Sequence, residues 1–136
     1  MEVVKKLNIP APVFYKKIIE SVIYDIRVQT GKDVTEKQLN NFEYVKTFSK
    51  SQRAKIKIDK IEKNSAYHFS TSTTKNEFKV SYDITMIDDN SCEIRYAESM
   101  ESYGTLQKMN DIVLSMLLGF FKKRQFKKML EQMENS

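Results

Sequence analysis

The chain has 136 residues, 40% of them apolar and 30% charged, with a formal net charge of +5. That composition suits one soluble domain with a real core. Three glycines and two prolines leave no low-complexity linker, there is no internal repeat, and a modest positive excess does not by itself specify an anionic partner.

The longest apolar run covers residues 112–121 and is interrupted by Ser115 and Gly119. A bilayer span needs about 20 apolar residues, so the run predicts a buried helix segment and no transmembrane segment. The opening residues, Met1 to Leu7, lack the apolar core and small-residue cleavage site of a signal peptide. Cys92 is the single cysteine and cannot form an internal disulfide. Together these features predict a cytoplasmic protein.

In chain order, residues 2–9 read as a strand with Val3, Leu7 and Ile9 on one side. Pro10 and Pro12 end it, because proline cannot serve a strand ladder. Pro12 suits the first position of a helix, with Ala11 before it and Gly31 closing the far end. Phe14, Ile18, Val22 and Ile26 recur at helical spacing, widened by Ile19 and Ile23, and Lys16, Lys17, Glu20 and Arg27 fall mostly off that stripe. Thr35 is placed to cap a single turn over residues 36–39.

Five segments of period two follow. Phe42, Tyr44 and Phe48 share a side in the first, and Ala54, Ile56 and Ile58 in the second. Tyr67, Phe69, Thr71 and Thr73 alternate with His68, Ser70 and Ser72. Phe78, Val80, Tyr82, Ile84 and Met86 alternate with Lys79, Ser81, Asp83 and Thr85. After a turn at residues 88–91, Cys92, Ile94, Tyr96, Glu98 and Met100 oppose Glu93, Arg95, Ala97 and Ser99. Such alternation predicts one wet and one covered sheet face. Residues 105–134 contain no proline and read as one helix of roughly 45 Å, long enough to cover that face.

The strand running into Asn8-Ile9-Pro10-Ala11-Pro12-Val13-Phe14, the meander and the closing helix resemble the START-like superfamily, which includes birch-pollen-allergen-like proteins and polyketide cyclases. Within it the chain looks most like a small uncharacterised domain family of Gram-positive bacteria. The resemblance covers essentially the whole chain and implies an α+β helix-grip fold, with a curved sheet of about six antiparallel strands around the long helix and often a cavity between them. It also implies binding of lipids, sterols, polyketides or hormones, chaperone assistance, or in a few members catalysis. It supplies no shared catalytic motif.

The expected cavity wall is Phe42, Tyr44, Tyr67, Phe69, Phe78, Val80, Tyr82, Ile84, Ile94, Tyr96 and Glu98, with Phe48 beside them. From the helix, Leu106, Met109, Val113, Met116, Leu117 and Phe120 would close it. Two interiors fit these residues, a cavity for an apolar or amphipathic small molecule with phenols orienting it, or a packed core whose hydroxyls satisfy one another. Glu98 is either a polar anchor on the covered side or a wet residue at a frayed strand end.

His68 alone, with no matched nucleophile, reads as a surface residue, and Cys92 as buried filler. One histidine and one cysteine cannot build a zinc set, so no metal and no cofactor are expected. Lys122 to Lys128 is the one basic cluster. Glu131 and Glu134 follow it and apolar residues interleave it, so it reads as a solvated helix face rather than a nucleic-acid contact. Binding without catalysis, as monomer or homodimer, is the function expected. The rivals are a partner-binding module with a filled core and, further off, a cyclase- or hydrolase-like enzyme.

Overall fold

The computed structural model describes residues 2–50, 52–74, 76–102 and 130–134. Among them β1 (Glu2–Leu7) leads into α1 (Ala11–Thr30), a 3-10 turn (Glu36–Gln38) follows, and five strands complete the sheet. These are β2 (Glu43–Ser49), β3 (Gln52–Glu62), β4 (Ala66–Ser72), β5 (Asn76–Asp88) and β6 (Ser91–Ser102). The sheet order is β1-β6-β5-β4-β3-β2, with every pairing antiparallel. A meander of consecutive hairpins therefore ends beside the first strand.

Local chemistry accounts for the boundaries. Pro10 sits at the N-cap of α1 in extended conformation, so Ala11 and Pro12 occupy the first two helical positions, one residue earlier than the sequence pattern places them. At the other end Gly31 adopts φ 77° and donates its N–H to the Arg27 carbonyl. The short turn is held by the Thr35 N–H donating to Gln38 Oε1 at 2.9 Å. Asn64, in the β3–β4 turn, takes φ 61°, a left-handed conformation that asparagine tolerates better than most residues. In the β5–β6 turn the Asn90 N–H donates to Asp88 Oδ1 at 2.8 Å, the self-bonding expected of such residues.

Period two then sorts the sheet's side chains into faces. Val3, Leu7, Ile58, Ile84, Ile94 and Cys92 are buried on the inner face and join Phe14, Ile18, Val22 and Ile26 of α1 in one core. Phe78 is 1% exposed and Val80 6%, while Tyr82 is partly buried against the same core. Met86 departs from the expected covered side. It is 64% exposed, and Met100 is 39% exposed, because each lies beyond the end of a neighbouring strand: the β4 ladder stops at Ala66 opposite Asp83 and the β1 ladder at Glu2 opposite Ala97. A register shift between Met86 and Asp88 adds to the departure.

A further shift sits in β3, where Ile58 faces Phe69 and Lys60 faces His68. Asp59 is the extra residue of a bulge, so Ile61 rather than Lys60 opposes Tyr67 on the inner side. Of the helix read over residues 105–134, only 130–134 fall among the described residues. They are helical, Leu130 is fully buried, and Glu131 pairs with Lys5 at 2.9 Å. Gly119 and the basic cluster from Lys122 to Lys128 lie outside the described residues.

A Cβ at Gly31 would meet nothing within 4 Å, so backbone conformation alone restricts this position. Gly31→Ala is expected to cost about 1 kcal/mol in urea unfolding, with Gly31→Asn costing less. A gain in stability on Gly31→Ala would contradict the left-handed cap.

Candidate functional site: a cleft between the helix and the sheet

An open cleft of about 640 Å³ lies between α1 and the inner face of the sheet. From α1 it takes the apolar side chains Ile18 and Val22, along with Tyr24 and the row Lys17, Ser21 and Asp25. That row repeats every four residues and therefore runs along one edge of the buried stripe. The sheet contributes Tyr44 and Lys46 from β2, Ile56 from β3, Tyr67 and Phe69 from β4, and Tyr82 from β5, and Met133 closes one side.

The floor is aromatic. Tyr67 stacks near-parallel with Phe69 at 5.3 Å between ring centroids and with Tyr82 at 6.1 Å. Tyr82 meets Tyr96 edge-on at 5.0 Å. The β4–β5–β6 register sets Tyr67 opposite Tyr82 and Tyr82 opposite Tyr96, so the rings form a row across three strands. Aromatic cross-strand pairs of this kind stabilise a sheet and leave flat ring surface available.

Two phenol–carboxylate pairs bracket the row. The Tyr44 hydroxyl donates to Asp25 Oδ2 at 2.6 Å, and Lys46 Nζ lies 3.1 Å from Asp25 Oδ1. On β6 the Tyr96 hydroxyl donates to Glu98 Oε2 at 2.6 Å. Burial and the accepting carboxylate push both phenols far above their ordinary pKa. Burial also raises the Glu98 carboxyl, against the opposing pull of the Tyr96 hydrogen bond. Glu98 is thus neither frayed nor fully enclosed. It stands half-buried in a strand that continues to Ser102.

The residues expected to form a cavity wall divide into three groups. Tyr44, Tyr67, Phe69 and Tyr82 line the cleft. Phe42, Phe78, Val80, Ile84, Ile94, Tyr96 and Glu98 are buried or half-buried on the sheet but do not line it, and Phe48 packs under Lys46 at 5.6 Å. Leu106, Met109, Val113, Met116, Leu117 and Phe120 lie outside the described residues. The α1 side of the cleft does not follow from the strand pattern. The spacing of Lys17, Ser21 and Asp25 beside the stripe was the available signal for it.

A second hollow of about 620 Å³ lies mostly among outward-facing residues of the sheet and also takes in Phe69, Val80 and Glu98 of the expected wall. Small residues such as Ser70, Ser81, Ala97 and Ser99 stand there among Lys55, Lys57 and Lys79. His68 is there too, and it is not isolated, because its Nε2 lies 2.8 Å from Asp83 Oδ1. Ser81 opposes His68 and Asp83 opposes Ala66, which places the carboxylate one diagonal step away. Both side chains are partly exposed. Cys92 is fully buried and unpaired in a disulfide, and burial raises its thiol pKa, as suits a packed thiol rather than a reactive one. Among the described residues no group of three His, Cys, Asp or Glu side chains could hold a metal ion, and no helix is long and apolar enough to cross a membrane.

The Glu98 shift has a pH signature. Above the ordinary glutamate value of 4.5 the unfolded chain releases a proton that the folded chain still holds, so stability falls as pH rises through the folded pKa. Glu98→Gln keeps an acceptor for Tyr96 and removes the charge. It is expected to raise the thermal midpoint by about 2–4 °C at pH 7 and to make little difference at pH 4. A loss of stability at pH 7 that shrinks at pH 4 would show that the bond to a charged acceptor outweighs burial.

The whole-chain comparisons agree with this architecture. Norcoclaurine synthase from Thalictrum flavum, in complex with dopamine and hydroxybenzaldehyde, superposes with a TM-score of 0.59 at 6% identity, covering 99% of this chain and 83% of that one. A point mutant of the same enzyme with a transition-state analogue gives 0.50 at 8% identity, over 87% of this chain and 92% of the other. A conserved protein from Geobacillus kaustophilus gives 0.49 at 16% identity, over 93% and 92%. At such identities the likeness is one of fold, and the fold is START-like. No curated protein matches the chain. Residues 1–119 match the family described as Domain of unknown function (DUF3284), and the chain belongs to that family.

Proposed function

We propose that the protein binds a hydrophobic or amphipathic small molecule in the cleft between α1 and the sheet, without transforming it. The observation that carries this reading is the cleft itself. About 640 Å³ lies within the range of roughly 300–1,000 Å³ typical of small-molecule sites, and an apolar and aromatic lining with a few placed polar groups is the usual composition. A plant enzyme of the same fold accommodates two single-ring aromatics, dopamine and hydroxybenzaldehyde, which supports a fold able to hold such molecules.

Binding rather than turnover is favoured by how the inner carboxylates are used. Asp25 accepts Tyr44 and pairs with Lys46, and Glu98 accepts Tyr96. The one histidine stands among the outward-facing residues. A general base needs a free lone pair within reach of a substrate proton, and the inner carboxylates are directed at phenols of the protein.

N-phenyl-1-naphthylamine, a neutral fluorescent probe, is expected to bind saturably at one site. Ser21 is exposed at the cleft edge, so Ser21→Trp plugs the cleft without disturbing the core. This variant should weaken the probe by about tenfold or more while keeping its thermal midpoint within a few degrees of the parent. Non-saturable binding, or binding indifferent to Ser21→Trp, would overturn the proposal.

A further inference from the structure

We infer that the cleft selects an aromatic ligand bearing a hydrogen-bond-accepting carbonyl or carboxylate oxygen, and that the Tyr67 hydroxyl is the donor that reads it. The inference rests on the cleft being a ligand site and adds the chemistry of the ligand.

The inner phenols are not equivalent. Tyr44 donates to Asp25 and Tyr96 to Glu98. Tyr67 lines the cleft and is 6% exposed, yet its hydroxyl has no hydrogen-bond partner among the described residues. The oxygen is not among the enclosed, unpartnered polar atoms, so it opens to the cleft, where a ligand that displaces water from it must supply the acceptor that water gave. The ring of Tyr67 is held between Phe69 and Tyr82, which fixes the direction of its hydroxyl with little freedom left to lose on binding.

The surroundings set the polarity of the exchange. Burial, reinforced by Tyr44, Tyr82 and the Asp25 and Asp59 carboxylates, holds the Tyr67 phenol protonated far into the alkaline range. It is therefore a donor at every physiological pH, and a complementary ligand presents an acceptor. A cationic amine finds no equivalent opening. The carboxylate that would attract it, Asp25, is already engaged on one oxygen by Tyr44 and on the other by Lys46. The body of the ligand follows from the stacked rings beside the hydroxyl, whose exposed faces suit a flat aromatic system.

Three probes of matched shape separate the possibilities: 2-acetylnaphthalene, 2-ethylnaphthalene and 1-(2-naphthyl)ethylamine, measured by calorimetry on the intact protein. The ketone is expected to bind about fivefold to tenfold tighter than the ethyl compound, with the amine weakest. In Tyr67→Phe the ketone-to-ethyl ratio should fall to about one. Because the lost hydroxyl is unbonded, the thermal midpoint of that variant should not drop. Equal affinity of ketone and ethyl compound in the unaltered protein, a preference for the amine, or a ratio that survives Tyr67→Phe would overturn the inference and leave the binding site standing. Failure of all three probes to bind saturably would overturn the site and the inference together.

Discussion

The register of β5 between β4 and β6 is the constraint on which the inner face depends. In a strand a slip of one residue moves every side chain to the opposite face. Here it would turn Phe78, Val80 and Ile84 to water and bring Lys79, Ser81 and Asp83 against α1. The β5–β6 pairing runs from Asn76 opposite Ser102 to Asp88 opposite Ser91. So long a ladder, anchored at one end by an Asp-rich turn, leaves no competing alignment of similar burial. Tyr82 occupies the middle of the ring row because of it. It also sets the diagonal step that brings Asp83 to His68 on the opposite face.

Within that frame the polar groups of the cleft are arranged to limit a cost. An ionised carboxylate held away from water is unfavourable unless it is paired or accepts hydrogen bonds. Asp25 receives a phenol and an ammonium, and Glu98 receives a phenol while burial displaces its carboxyl upward. Both arrangements place an aromatic hydroxyl as a donor to a carboxylate. The Tyr15 hydroxyl, 3.3 Å from Glu36 and pushed up to about 12 by burial and that carboxylate, repeats the device between α1 and the short turn that follows it.

Much of this architecture was legible in the sequence. The alternation of Phe78, Val80 and Ile84 named the inner face, the Pro10–Pro12 and Gly31 punctuation bounded α1, and the Asp88–Asn90 turn closed the last hairpin. What stayed hidden depends on long-range geometry. A bulge at Asp59 changes which later residues of β3 face inward, and nothing local marks it, since Lys-Ile-Asp-Lys-Ile fits either alternation. Met86 follows the apolar period but lies beyond the end of β4, whose ladder stops opposite Asp83, and a period carries no information about where a neighbouring strand ends. The Lys17, Ser21 and Asp25 row is periodic in the sequence, but its role appears only once β2 lies against it. The partner of His68 is hidden in the sequence because its carboxylate is a cross-strand neighbour 15 residues away.

The position of the cleft follows from where α1 is tied to the sheet. Asp25 reaches both Tyr44 and Lys46, and Gln29 Oε1 accepts the Thr47 N–H at 3.0 Å. These three contacts fasten the C-terminal half of the helix to β2, the outermost strand on that side. An edge strand presents backbone groups that invite pairing with another chain, and Gln29 occupies one of them. The same residues that quiet the edge therefore hold the helix at a set distance from β4 and β5. The stacked rings of Tyr67, Phe69 and Tyr82 line the space between the two layers, and under the proposed function they are the floor that a ligand meets.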